Sequence, residues 1–308
     1  MNKAKKEVFK SGFVAIIGRP NVGKSTFINQ VLGQKVSIIS PKPQTTRNNI
    51  KGIYTTDKCQ IVFIDTPGIH KPHHELGNFM NKESISQIKE ADMILYIIDG
   101  VMDFGTGDEF VINELKKSKC DVYLVVNKID LVKDKDRLIV NVSKFTQKYD
   151  FCNVFYISAL TGENIDDLLL DMESRLSEGP MYYPKDSLSD HPLEFVMAEI
   201  IREKVLLLTN EEVPHSVAVT IDDIRASEED SEMLDINATI FVERASQKKI
   251  IIGSGGAMIK KIGTLARKEL KLLLNQKLYL ELWVKVEEDW RNKKSDLRRL
   301  GYTFDNID

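Results

Sequence analysis

Eight residues near the start of the chain, Gly18 to Ser25 (GRPNVGKS), constrain its fold more than any other stretch of its 308 residues. They fit the spacing G-x-x-x-x-G-K-[ST]. They also sit between an apolar run at 13–17, read as a strand, and a helical stretch at 26–32, which is the setting this pattern requires. Glycines let the backbone curl so that several N–H groups converge on an anion. The helix entered at Thr26 adds its positive N-terminal end. The stretch Gly18, Arg19, Pro20, Asn21, Val22, Gly23, Lys24, Ser25 and Thr26 is therefore read as a phosphate cradle. In it Lys24 neutralises β- and γ-phosphate charge, and the Ser25 hydroxyl is placed to ligate Mg²⁺.

The rest of the first half fits this start. Runs at 60–64, 93–98, 122–126 and 154–157 are β-branched or aromatic, alternate with amphipathic stretches, and end in polar residues. Such strands suit a mostly parallel sheet with flanking helices and ligand groups at the carboxyl ends. After the run 60–64 comes Asp65-Thr66-Pro67-Gly68. Asp65 is placed to hold Mg²⁺, usually through a water, and the Gly68 amide to sense a γ-phosphate. After 122–126 comes Asn127-Lys128-Ile129-Asp130. A carboxylate at Asp130 accepts from both N1–H and the exocyclic amine of guanine, which adenine cannot match, so the base is guanine and the ligands are GTP and GDP. Ser158-Ala159-Leu160 follows the fifth run, where the Ala159 amide is expected to meet guanine O6.

The second half is polarised. Residues 191–240 hold 3 basic and 12 acidic side chains, and residues 241–308 hold 15 basic and 9 acidic. The stretch 177–192 (SEGPMYYPKDSLSDHP) loses periodicity and reads as a linker between a nucleotide-binding domain at 1–176 and a second domain at 193–308. The expected order in that second domain is a helix at 193–208, strands at 216–225 and 235–244, two helices around Gly253-Ser254-Gly255-Gly256, a strand at 278–286, and a short last helix. A glycine turn between two helices lets four nucleotides of single-stranded RNA approach the backbone, as in KH domains. Lys248, Lys249, Lys260 and Lys261 would oppose phosphates, and the apolar triplet 250–252 would anchor the preceding helix. The strand and helix order is that of a type II KH domain, an α+β fold following the α/β P-loop domain.

Three well-separated cysteines fit neither a disulfide framework nor a metal knuckle. No run approaches the roughly 20 apolar residues of a membrane span, and the basic start lacks a signal-peptide core, so a cytoplasmic location is expected.

Across essentially its whole length the chain resembles the Era family of ribosome-assembly GTPases. The segments Pro43–Arg47 (PQTTR), 242–253 (VERASQKKIIIG) and 280–286 (LELWVKV) carry the match beside the P-loop motifs. The resemblance implies that PQTTR is switch I, with Thr46 completing the Mg²⁺ shell and Thr45 the near alternative. It implies binding to the 3′ region of 16S ribosomal RNA, help in assembling the 30S subunit, and peripheral contact with the inner face of the cell membrane, in a protein taken to be monomeric. Ile69 stands where small signalling GTPases carry a water-orienting glutamine, so slow intrinsic hydrolysis is expected. Some Era-like relatives hold a potassium ion with a P-loop asparagine, which makes Asn21 the candidate catalytic residue. His70, His73 and His74 read as solvated members of switch II. The alternative reading is a GTPase whose basic second domain docks membrane or protein and does not bind RNA.

Overall fold

A computed structural model describes residues 8–69, 72, 74–227 and 232–302. His70 and His73 lie outside the described residues. Two compact units emerge.

The first unit is built on a six-stranded sheet in the order β2-β3-β1-β4-β5-β6. Its strands are β1 (Lys10–Ile17), β2 (Ile50–Thr55), β3 (Cys59–Asp65), β4 (Met93–Asp99), β5 (Asp121–Asn127) and β6 (Asn153–Tyr156). Helices α1 (Lys24–Leu32), α2 (Glu75–Glu90), α3 (Thr106–Leu115), α4 (Lys135–Thr146) and α5 (Ile165–Arg175) connect them. All five expected strands are present within a few residues of their expected bounds, and they run parallel. Helix crossovers need both sheet faces apolar, and β3 and β4 are buried at every residue. One core layer joins Val14, Ile16, Phe27, Phe63 and Leu95 to Leu168 and Met172 of α5. The opposite layer joins Ala15, Ile17, Tyr96 and Val126 to Val111 and Phe145.

Strand β2 is an addition to the expected set, and it pairs antiparallel with β3 at the sheet edge. The stretch after α5 has no helix and only one isolated bridge, Lys10 to Glu178. It is nonetheless strapped to this unit: Gln60 Oε1 accepts from Tyr182 N at 2.7 Å, and Ile53 N donates to Leu188 O at 2.9 Å.

The second unit contains α6 (Leu193–Leu208), β7 (Ala218–Ala226), β8 (Met233–Val242), α7 (Ala245–Ile252), α8 (Ala257–Leu274), β9 (Lys277–Val286) and α9 (Lys294–Arg299). β7 and β8 pair antiparallel with a bulge, while β8 and β9 run parallel. Period-2 alternation sends Leu278 and Val284 of β9 into a core with Ile201, Ile240, Ile251, Ile262 and Leu270. Trp290 is fully buried and its indole donates to Ser216 O at 2.9 Å. One expectation needs correction: Ile251 is buried and Ile252 half-buried, but Ile250 is 50% exposed, so the triplet does not anchor the helix as a unit. Three adjacent residues cannot share one face of a helix that turns every 3.6 residues.

Candidate functional site

At the carboxyl end of β1 the chain turns through residues 18–23 into α1. Gly23 caps that helix at φ 101°, and a Cβ there would lie 2.2 Å from Asn127 Nδ2, so only glycine fits. Lys24, almost fully buried, donates to the carbonyls of Gly18 (3.3 Å) and Arg19 (3.2 Å). Burial pulls its ammonium down to about 8, against the opposing charge of Asp65. The Arg19 guanidinium turns outward to Asp108 Oδ2 of α3 at 3.1 Å, and Asp108 Oδ1 accepts from the Tyr96 hydroxyl at 2.9 Å. Exposed Asn21 adopts φ 64°. Gly68 packs against the Pro20 ring.

Asp65 ends β3 with no solvent exposure. Its Oδ2 accepts from Ser25 Oγ at 2.6 Å, Ser37 Oγ at 2.8 Å and Thr46 Oγ1 at 3.4 Å. The Ser25 and Thr46 hydroxyls lie 3.0 Å apart. Oδ1 is buried without a hydrogen-bond partner. Burial pushes the carboxyl up, while Lys24 and the three hydroxyls oppose the shift. A buried carboxylate with one oxygen unpartnered and two hydroxyls at the other is a hard, all-oxygen donor set, and it fits Mg²⁺. Thr45 does not join this set; its hydroxyl donates to Lys42 O at 2.6 Å within its own loop.

The base end lies at the carboxyl ends of β5 and β6. Asn127 Nδ2 donates to Val22 O at 2.8 Å, tying this end to the phosphate cradle. Lys128, at φ 65°, extends its amine to the Asn21 carbonyl at 2.8 Å. Asp130 is exposed, and its Oδ1 accepts from Ser158 Oγ at 2.6 Å. The Ala159 amide donates to Asn127 Oδ1 at 2.8 Å, and so braces the asparagine. Leu160 is 73% exposed. Thr66 Oγ1 donates to Ile16 O at 2.7 Å, and the Pro67 carbonyl accepts from Ser84 Oγ at 2.8 Å. The Ile69 side chain is buried in the core layer with Ile17 and Ile98.

Sequence reasoning missed Ser37, Asp99 and Asp108. Asp99 was within reach, because it ends an apolar strand just before a glycine, where α/β sheets place functional groups. For the other two no local pattern exists.

In the second unit, Gly253 (φ 74°) closes α7, Gly255 (φ 56°) sits in a single 3₁₀ turn, and Gly256 (φ 79°) caps the 18-residue α8. Gln247 Oε1 accepts from the amides of Glu243 and Arg244, both at 3.0 Å, fixing the start of α7. Lys249, Lys260 and Lys261 are exposed and Lys248 half-buried, all within a few residues of the turn, and Ser254 is exposed at its tip.

Comparisons with known proteins match both halves. A family model described as 50S ribosome-binding GTPase matches residues 13–128, and one described as KH domain matches residues 212–291. A crystal structure of Era with MgGDPNP and nucleotides 1506–1542 of 16S ribosomal RNA is similar at TM-score 0.93 and 42% identity, over 96% of this chain and 100% of that one. A single-residue variant of Aquifex aeolicus Era bound to GDP·AlF4⁻ is similar at TM-score 0.92 and 42% identity, over the same shares.

Proposed function

The chain belongs to the Era family of GTPases, and from that premise we propose that it is a GTP-hydrolysing switch that binds the 3′ region of 16S ribosomal RNA through its KH domain and assists assembly of the 30S subunit. The observation that carries the GTPase half is the convergence of the Ser25 and Thr46 hydroxyls on buried Asp65, with one carboxylate oxygen left over. Ser25, Thr46 and Asp65 would hold Mg²⁺, which when bound supplies positive charge to the β- and γ-phosphates.

The chain's own groups do the rest. Lys24, held by two cradle carbonyls, aims its ammonium into the phosphate loop. The Gly68 amide reads the γ-phosphate. Asp130, oriented by Ser158, reads the guanine edge, and Lys128 flanks the base. Ile69 is committed to the core and cannot orient water, so intrinsic turnover is slow. Asn21 assists it by holding K⁺; equal turnover in potassium and sodium buffers removes that role.

The RNA face is the turn 253–256 with Lys248, Lys249, Lys260 and Lys261. Residues 177–192 link a nucleotide-binding domain (1–176) to the KH domain (193–308), and GTP binding is coupled to RNA binding. No helix among the described residues is long and apolar enough to cross a membrane. The protein is proposed to act as a monomer in the cytoplasm, with peripheral contact to the inner membrane face. The deciding experiment titrates a 16S 3′-end RNA with protein bound to GTP, to GDP and to neither. Equal affinities in the three states overturn the switch, and no binding in any state overturns the RNA reading.

A further inference from the structure

On the reading that Asp65 faces Mg²⁺, we propose that Ser37 is a positioning residue for that carboxylate: a fixed donor that holds Oδ2 beside the Ser25 and Thr46 hydroxyls and so sets the carboxylate's orientation toward the metal. Three hydroxyls reach Oδ2, but they differ in what else they do. Ser25 and Thr46 would ligate the metal themselves, and Thr46 belongs to switch I, which nucleotide reorders. A carboxylate oriented only by those two would lose its orientation whenever they rearranged.

Ser37 is independent of both. It is 1% exposed, and its Oγ donates to Oδ2 at 2.8 Å. Its backbone is clamped on both sides by one side chain, Asn29 of α1. Asn29 Nδ2 donates to Ser37 O at 2.7 Å, and Asn29 Oδ1 accepts from Val36 N at 2.9 Å and Ser37 N at 3.0 Å. Asn29 stands on the helix whose first turn carries Ser25, so the clamp ties the orientation of Asp65 to the phosphate-binding helix. A carboxylate turns about a single broad torsion, and a buried donor on one oxygen holds that torsion in place. Outer-shell partners of this kind carry 10- to 100-fold in metal affinity.

The test is release of a fluorescent GDP from the full-length protein, followed as free Mg²⁺ is raised from an EDTA baseline. For Ser37→Ala the Mg²⁺ concentration giving half-maximal slowing of release is expected to rise about 10-fold or more, with release in EDTA equal to wild type. Ser37→Thr, which keeps the hydroxyl, is expected to restore the wild-type midpoint. If Ser37→Ala does not fold, Ser37→Cys keeps the size, weakens the donor and carries the same comparison. An unchanged midpoint overturns the proposal. So does faster release in EDTA, because that marks a loop held for packing. Wild-type release that ignores Mg²⁺ altogether overturns the metal reading, and the proposal falls with it.

Discussion

Lys128 Nζ donates to Asp99 Oδ2 at 2.6 Å, which sets the direction of the lysine that follows Asn127. Asp99 closes β4 with its side chain 5% exposed, and its Oδ1 accepts from Val101 N at 3.0 Å. The carboxylate is fixed by backbone, so it fixes the lysine in turn. Asp99→Ala is expected to weaken GTP and GDP alike, by about tenfold or about 1.4 kcal/mol, because base contacts are common to both nucleotides. Competition titrations check this, and a change in the GTP:GDP affinity ratio would contradict it.

Asp130 is tested by its edge chemistry. Asp130→Asn places an amide N–H₂ where guanine presents donors, so GTP affinity is expected to fall at least 100-fold. A purine with a carbonyl in place of the exocyclic amine accepts from that amide, so xanthosine triphosphate is expected to bind the variant better than GTP does. Calorimetry with the two nucleotides on the one variant decides it.

Glu83 on α2 gives a pH signature in the first unit. Burial first, and then the charge of Glu90, push its carboxyl up to about 6, although Asn49 Nδ2 donates to it at 2.5 Å. A folded value above the unfolded one means that the folded state holds the proton more tightly. The stability contributed by the protonated form is therefore complete below about 4.5 and lost as pH rises through about 6. Glu83→Gln is expected to be more stable than wild type at pH 7.5 by about 1 kcal/mol, a value discounted for partial solvent screening, with the gap closing near pH 4.5. Urea unfolding at the two pH values measures it.

What was legible in the sequence follows from how local each signal is. β1, β3, β4 and β5 announce themselves as apolar runs because both faces are covered by helices. β2 (IKGIYT) does not, since it lies at the edge and is interrupted by Gly52. The phosphate loop, Asp65 and Asp130 could be proposed because each motif is contiguous and follows its own strand, whereas Thr46 is proposed only from the resemblance of PQTTR. Ser37 and Asp108 were not, because they meet Asp65 and Arg19 from 28 and 89 residues away along the chain. Ala159 shows what only the fold adds: its amide, read from the motif as a base contact, also braces the Asn127 side chain.

The glycine turn separates folding from RNA binding within four residues. A Cβ on Gly253 would lie 2.7 Å from Met258 Cβ and 2.8 Å from its amide nitrogen, at φ 74°. Gly253→Ala is thus expected to destabilise the second unit by about 2 kcal/mol, because strain and clash act together. Gly255, at φ 56°, has nothing within 4 Å of an added Cβ, and aspartate tolerates left-handed backbone better than most residues. Gly255→Asp should therefore fold with a melting temperature close to wild type. It also places a carboxylate where RNA phosphates would approach the turn, so RNA affinity should drop at least tenfold while GTP affinity stays the same. Thermal melts with filter binding of a 16S 3′-end RNA measure both sides. A well-folded Gly255→Asp protein that binds the RNA as tightly as wild type would show that the RNA does not approach the glycine turn.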